Sequence, residues 1–354
     1  MRNPILVDFC LPRNWVFHIV LEERTNEVWE IIALESNRNH HGKIQNLIRY
    51  CKYFFVALRV FMNREKFEKV IAWQQFHGIF LAFLQRVFRV KKTINLTIMT
   101  FIYKPKKSWI GKLYFWFVNF AVTSGYIDTI VVFSESEKRF YSDLFHVDTK
   151  RFECVFLGVN DMYHMYENDI ADGDYCVSAG RSNRDYSFLI NVWDDDKRKL
   201  FIVCDDPICN HNQKVTVNNN CFGADYMRAL AGAHAVIISL ENDKISSGQL
   251  VLLHAMMLGK PVIITKNSAL NDYLQNGMTG FVIEKRQEQL EEALYKLEDE
   301  KEYARMSKNA RDFYLSNCTL SAEAEQVAAI INKRGRIREK LRRLVKKMIK
   351  GTFQ

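Results

Sequence analysis

A chain of 354 residues, 48% hydrophobic, is longer than one hydrophobic core usually serves, so two domains are expected. Its formal charge of +9 is localised: residues 333–350 hold ten Lys or Arg and one acid, Glu339, leaving 40 basic and 40 acidic residues elsewhere. That distribution excludes a generally basic protein that coats nucleic acid and marks a local electrostatic anchor.

In chain order, short β-like runs and amphipathic helices alternate. Ile5–Phe9, Trp29–Leu34, Lys69–Trp73, Asn95–Phe101 and Thr129–Phe133 read as strands, and Lys43–Met62, Phe76–Phe88 and Gly111–Val122 as helices. This is the rhythm of an α/β domain with a largely parallel sheet, placed at residues 1–160. From Gly158 to Asp174 the pattern lapses into Gly, Asn, Asp and Tyr, the composition of a connection between domains. Strands then recur at Tyr175–Ala179, Lys199–Val203, Ala235–Leu240, Pro261–Thr265 and Gly280–Ile283, and residues 286–332 read as helical, giving a second domain at 174–332. Residues 333–354 form a basic amphipathic C-terminal segment. Ile337, Leu341, Leu344, Val345, Met348 and Ile349 recur at helical spacing among its cations, a pattern suited to lying on an anionic membrane face.

No apolar run approaches the ~20 residues that cross a bilayer. The apolar stretch Ile5 to Leu11 contains Asp8 and lacks a basic leader. Eight cysteines form no pair spaced as in redox or ribbon-type zinc motifs, which suits a reducing cytoplasm. The expectation is a cytoplasmic protein, peripheral on the inner face of the cell membrane.

The segment Ser246-Ser247-Gly248-Gln249-Leu250, followed by an apolar run to Gly259-Lys260-Pro261, reads as a polar loop, a helix, a glycine stop and a strand. Ser246 or Ser247 would cap the helix. Gly248 would let its first turn approach a ligand, with free N–H groups and the helix dipole favouring a diphosphate. His254 is conspicuous as a polar residue on an otherwise apolar helix. After the strand at Tyr175–Ala179 comes Gly180-Arg181-Ser182-Asn183-Arg184, at the carboxyl edge of a parallel sheet, where such sheets bind ligands. The forked guanidinium groups of Arg181 and Arg184 match a diphosphate. In the first domain, Trp73-Gln74-Gln75-Phe76-His77-Gly78 ends a strand and opens a helix, so His77, whose neutral ring can both donate and accept, is a candidate catalytic residue, with Asp8 and Gln75 as weaker candidates.

The Gly180–Arg184 and Ser246–Pro261 stretches, with Asp272-Tyr273-Leu274, Asn276-Gly277 and Gly280-Phe281-Val282, resemble the donor-binding half of family 4 glycosyltransferases of the bacterial cell-surface polysaccharide type. The resemblance covers residues 128–315. It implies a GT-B fold, α/β, with two Rossmann-like domains facing across a cleft. It also implies transfer of a sugar from a nucleoside diphosphate sugar to an acceptor hydroxyl on a lipid-linked or glycan acceptor, with the nucleotide sugar a substrate and no cofactor or metal. Retention at the anomeric carbon follows from the same likeness. By that resemblance Gly180, Arg181, Arg184, Ser246, Ser247, Gly248, Gln249 and His254 bind the donor, and Arg181 and Arg184 also stabilise leaving-group charge. The family's two glutamates, eight positions apart, correspond here to Ser246 and His254, which supply no carboxylate; Glu241 replaces one if its loop folds back. Two alternatives remain at this stage, a GT-B-type nucleotide-sugar epimerase and an inert membrane-associated partner subunit of a transferase. Cys204, Cys209, His211 and Cys221 match no common zinc spacing, and there is no Gly-x-Gly-x-x-Gly after a strand, no Walker loop and no Gly-x-Ser-x-Gly elbow.

Overall fold

A computed structural model describes residues 2–35, 42–242 and 247–351, without the side chains of residues 2, 43 and 336–351. The chain divides into two compact units, residues 1–155 with 324–354, and residues 156–323.

The first unit alternates strand and helix: β1 (Arg2–Val7), α1 (Val16–Thr25), β2 (Val28–Ala33), α2 (Lys43–Met62), β3 (Lys69–Ala72), α3 (Gln75–Val87), β4 (Asn95–Ile98), α4 (Trp109–Val122), β5 (Ile127–Val132), α5 (Glu135–Phe145) and β6 (Phe152–Cys154). The strands form one parallel sheet in the order β2-β1-β3-β4-β5-β6. The central strand β4 is buried at every position, its polar Asn95 and Thr97 included, as expected of a strand covered on both faces. Two helices start at side-chain caps: Gln74 accepts from Phe76 N–H at 2.8 Å before α3, and Ser134 accepts from Glu137 N–H at 3.1 Å before α5 while Glu137 reaches back to Phe133 N–H.

The second unit contains α6 (Tyr163–Tyr166), β7 (Tyr175–Ala179), α7 (Tyr186–Val192), β8 (Lys199–Val203), β9 (Val215–Asn218), α8 (Ala224–Ala231), β10 (Val236–Ile238), α9 (Gln249–Met257), β11 (Val262–Thr265), β12 (Gly280–Ile283), α10 (Gln287–Lys296) and α11 (Glu300–Asn317). Its parallel sheet runs β12-β11-β10-β7-β8-β9, so the strand order reverses at β7 and β10, the place where doubly wound sheets bind ligands. The last helix, α12 (Leu320–Gly351), begins in this unit, and from Ala324 it belongs to the first. There Arg24 pairs with Glu325 at 2.6 Å and its carbonyl accepts from Asn332, while Arg334 bonds the Lys150 carbonyl.

Several sequence expectations shift. The strand ends read at Phe9 and Trp73 overshoot. Both residues are apolar because they join an aromatic cluster with Trp15 and Phe17, in which Trp73 lies 4.7 Å from Phe17, and not because they extend the ladder. Strands β6 and β9 escaped the reading. One is three residues long, and the other is followed by an asparagine run. The stretch Gly158 to Asp174, read as a connection, is packed: Val159 and Tyr166 lie in the core of the second unit, and Val159 N–H bonds the Cys318 carbonyl at 3.0 Å.

Candidate functional site

In the second unit, the turn after β7 and the segment before α9 meet at the carboxyl edge of the sheet. Gly180 has φ +122° and a Cβ there would lie 2.5 Å from an Arg184 terminal nitrogen, so only glycine lets the guanidinium fold across the turn. Arg184 Nε donates to the Ala179 carbonyl at 2.8 Å, and Nη1 to the Ser182 carbonyl at 2.9 Å and to Ser247 Oγ at 3.1 Å. Asn183, at φ +60°, locks the turn to the next loop by exchanging bonds with Asn242 at 2.9 Å. The Arg184 guanidinium is partly buried, and burial holds its pKa below the usual arginine range. Among the described residues no carboxylate pairs with it and Nη2 makes no hydrogen bond. A partly buried cation whose partners are all neutral presents a charge to whatever anion enters.

Gly248 stands beside it. With φ +96° it is the residue that turns the chain into α9, and a Cβ at this position would sit 3.1 Å from Ile238 and 3.8 Å from Arg184 Nη2. The expectation that Ser246 or Ser247 caps α9 is corrected in part: Gly248 occupies the cap position without a side-chain bond, and Ser247 Oγ donates to Ser182 instead, while Ser246 lies outside the described residues. Gln249 opens the helix, whose first-turn N–H groups have no intrahelical acceptors. His254 is partly buried one turn later. Its Nδ1 is 3.2 Å from the Tyr226 hydroxyl, and burial lowers its pKa, so the ring is neutral at pH 7. With Tyr226 donating to Nδ1, Nε2 carries the proton and is a donor.

Two of the expected residues stand apart from this group. Arg181 is exposed and pairs with Asp205 at 3.2 Å, and among the described residues no hydrogen bond or ion pair joins it to Ser247 or α9. Glu241 is held by its backbone, its N–H on Asn183 and its carbonyl accepting from Lys285 Nζ, and its side chain is exposed. Tyr226 was missed. The Gly223-Ala224-Asp225-Tyr226 start of α8 after β9 was the available signal, but β9 itself had gone unread.

In the first unit, a second cluster forms at the carboxyl ends of β1 and β3. The His77 ring is fully buried, stands edge-on to Tyr53 at 5.0 Å, and neither nitrogen makes a hydrogen bond of ordinary geometry. Burial pushes its pKa down to about 4, against the opposing pull of Asp8 and the Leu6 carbonyl. Tyr53 donates to Asp8 at 2.6 Å. Gln75 is occupied elsewhere, its amide exchanging two bonds with the backbone of Ile102 at 2.9 and 3.0 Å.

Residues 209–313, which include Tyr226, Ser247, Gly248 and His254, match the family model described as glycosyl transferases group 1. No curated protein sequence matches the chain. Among solved structures, HepE of Anabaena in complex with UDP is 12% identical, with 94% of this chain and 100% of that one covered and a TM-score of 0.64. Sucrose-phosphate synthase from Thermosynechococcus elongatus is 13% identical over 95% and 99%, with a TM-score of 0.65. A glycosyltransferase from Rickettsia africae is 13% identical over 94% and 98%, with a TM-score of 0.61. These likenesses establish that the chain has the GT-B fold and relate its second unit to the group 1 glycosyl transferases.

Proposed function

We propose that the protein is a glycosyltransferase, of the family 4 type, that moves a sugar from a nucleoside diphosphate sugar to an acceptor hydroxyl on a lipid-linked glycan. The Arg184 guanidinium carries this reading: it is partly buried, lacks a carboxylate partner among the described residues, and stands against Gly248 at the start of α9. That arrangement suits a diphosphate, with Arg184 and the α9 N–H groups stabilising the charge that grows on the leaving phosphate. His254 then donates to the ribose and Tyr226 fixes its tautomer. HepE has been crystallised in complex with UDP, with UDP and glucose, and with UDP-glucose, which supports the donor class.

Thermal-shift titration with UDP, GDP and ADP and their sugar conjugates tests the donor. One nucleotide family should raise the midpoint by mass action, and a flat response to all of them refutes the proposal. Turnover by the isolated chain, with formation of a new glycosidic linkage, distinguishes it from an epimerase and from an inert subunit.

The reading extends to an anionic membrane face held by the basic segment 333–354. Each cation near anionic lipid contributes about 1 kcal/mol. Removing residues 336–354 should weaken co-sedimentation with anionic liposomes, and undiminished binding by the folded truncation would show the segment irrelevant.

A further inference from the structure

Outside the C-terminal segment the balanced charge conceals a second positive region. Residues 69–127 contain nine Lys or Arg and no acid, and α2 likewise contains four cations and no acid. These stretches supply α2, α3 and α4, where α3 packs against both of the others.

Over α3, between α2 and α4, runs a groove of about 470 Å³. Its walls are Tyr50, Phe76, Phe80, Ile110, Tyr114 and Phe117, and Lys104 and Lys106 stand at its rim. The rim is built in place. Gln75 clamps Ile102 at both backbone groups, Tyr103 stacks on Tyr114 at 5.3 Å, and the Lys106 carbonyl crosses Gly111 so closely that a Cβ there would come within 2.4 Å. The helices flanking the groove expose apolar side chains in rows. On α4, Trp109 is 74% exposed, and Ile110, Leu113 and Trp116 follow on the same side; on α2, Ile44 is 75% exposed with Leu47 and Ile48 beside it. Rows of large apolar side chains bordered by lysine and free of carboxylates mark a surface made for something both apolar and anionic.

We propose that the groove seats the hydrocarbon chain of a membrane lipid with a phosphate or diphosphate head, Lys104 and Lys106 holding the head and the exposed rows of α2 and α4 entering the leaflet. The inference rests on the lipid-linked acceptor reading and adds the place and the residues that recognise the lipid. A water-exposed protein surface pays for such rows in solubility, whereas a lipid leaflet buries them. The two lysines supply charge where a headgroup emerges from an apolar slot.

Dodecyl phosphate, kept below its micellar concentration, is the probe. Trp109 and Trp116 are the tryptophans that face solvent, so filling the groove should shift the emission of the full chain to the blue. Lys104→Gln with Lys106→Gln should raise the half-saturating concentration roughly thirtyfold. Ile110→Asp, at a position already 58% exposed and therefore tolerant, should abolish the shift. Unchanged circular dichroism melting certifies the fold of each variant. Equal responses in the variants, or the same blue shift from inorganic phosphate alone, would overturn the proposal. The nucleotide titration is scored separately, so loss of the donor reading and loss of this one are distinguishable.

Discussion

At the scale of the residue, Arg181 and Arg184 are near in sequence and different in physics. Arg184 is partly buried, bonded only to neutral oxygens, and adjoins Gly248, while Arg181 faces solvent against Asp205. Arg184→Ala should therefore weaken nucleoside diphosphate binding by about 1.5–3 kcal/mol and leave nucleoside binding nearly unchanged. Arg181→Ala should cost well under 1 kcal/mol, since an exposed pair contributes little. Isothermal titration of the nucleotide and its nucleoside measures both, and equal losses would return Arg181 to the site. His77 makes a different demand. Its folded pKa lies near 4, below the ordinary 6.5, so the stability that depends on its neutrality is complete above pH 6.5 and is lost as pH falls through 4, by about 3 kcal/mol. His77→Gln should flatten that acid limb of the melting curve. If His77 also serves transfer, the variant lowers kcat at saturating donor without altering nucleotide affinity. An unaltered rate leaves His77 as a packing residue.

At the scale of the element, what the sequence revealed depended on whether local pattern or distant contact set the outcome. The range of α2 and three strands of the second sheet could be read to the residue, because apolar periodicity and flanking turn residues both mark their ends. The start of α9 was read as a serine cap, yet its geometry is set by a left-handed glycine whose neighbour Ser247 is drawn away to Ser182 and Arg184, 65 and 63 positions earlier. No local rule reports such a contact. The same limit hid Tyr226, whose partner His254 lies 28 positions on, and left the spent amide of Gln75 looking like a free one. Gly248→Ala tests how much the glycine matters. Positive φ costs an L-residue about 1–2 kcal/mol, and the new methyl group presses on Ile238 at 3.1 Å. The melting point should fall, and nucleotide affinity should fall with it as the first turn of α9 is displaced. Unchanged affinity would place the ligand away from this turn.

At the scale of the whole molecule, the two places where the chain passes between units lie close together in the second unit, and a buried acid stands beside them. Glu323 is fully buried, neither oxygen has a hydrogen-bond partner of ordinary geometry, and a Cβ on Gly158 would lie 2.8 Å from Oε2, which explains the glycine. Burial pushes its pKa up to about 8. The folded protein thus keeps the proton that the unfolded chain gives up near 4.5. The stability this allows is full below pH 4.5 and is lost as pH rises through 8, on the order of 3 kcal/mol already by pH 7. Glu323→Gln, which keeps the shape and removes the ionisation, should raise the melting midpoint most above pH 7 and flatten its fall between pH 5 and 8. A parallel shift at every pH would deny that the carboxyl is buried uncharged.

The return of α12 from Ala324 onward also fixes an order of biogenesis. The second unit is one uninterrupted stretch and has all its residues together as soon as Glu323 has been synthesised. The first unit begins earlier yet is finished last, because Glu325 and Asn332, the partners of Arg24, emerge some 300 residues after it. A nascent chain has every strand of the first sheet by Cys154 but must hold that unit without α12 while an entire second unit is made, and this is the interval in which the surface that buries Val327 and Ile331 most needs a chaperone.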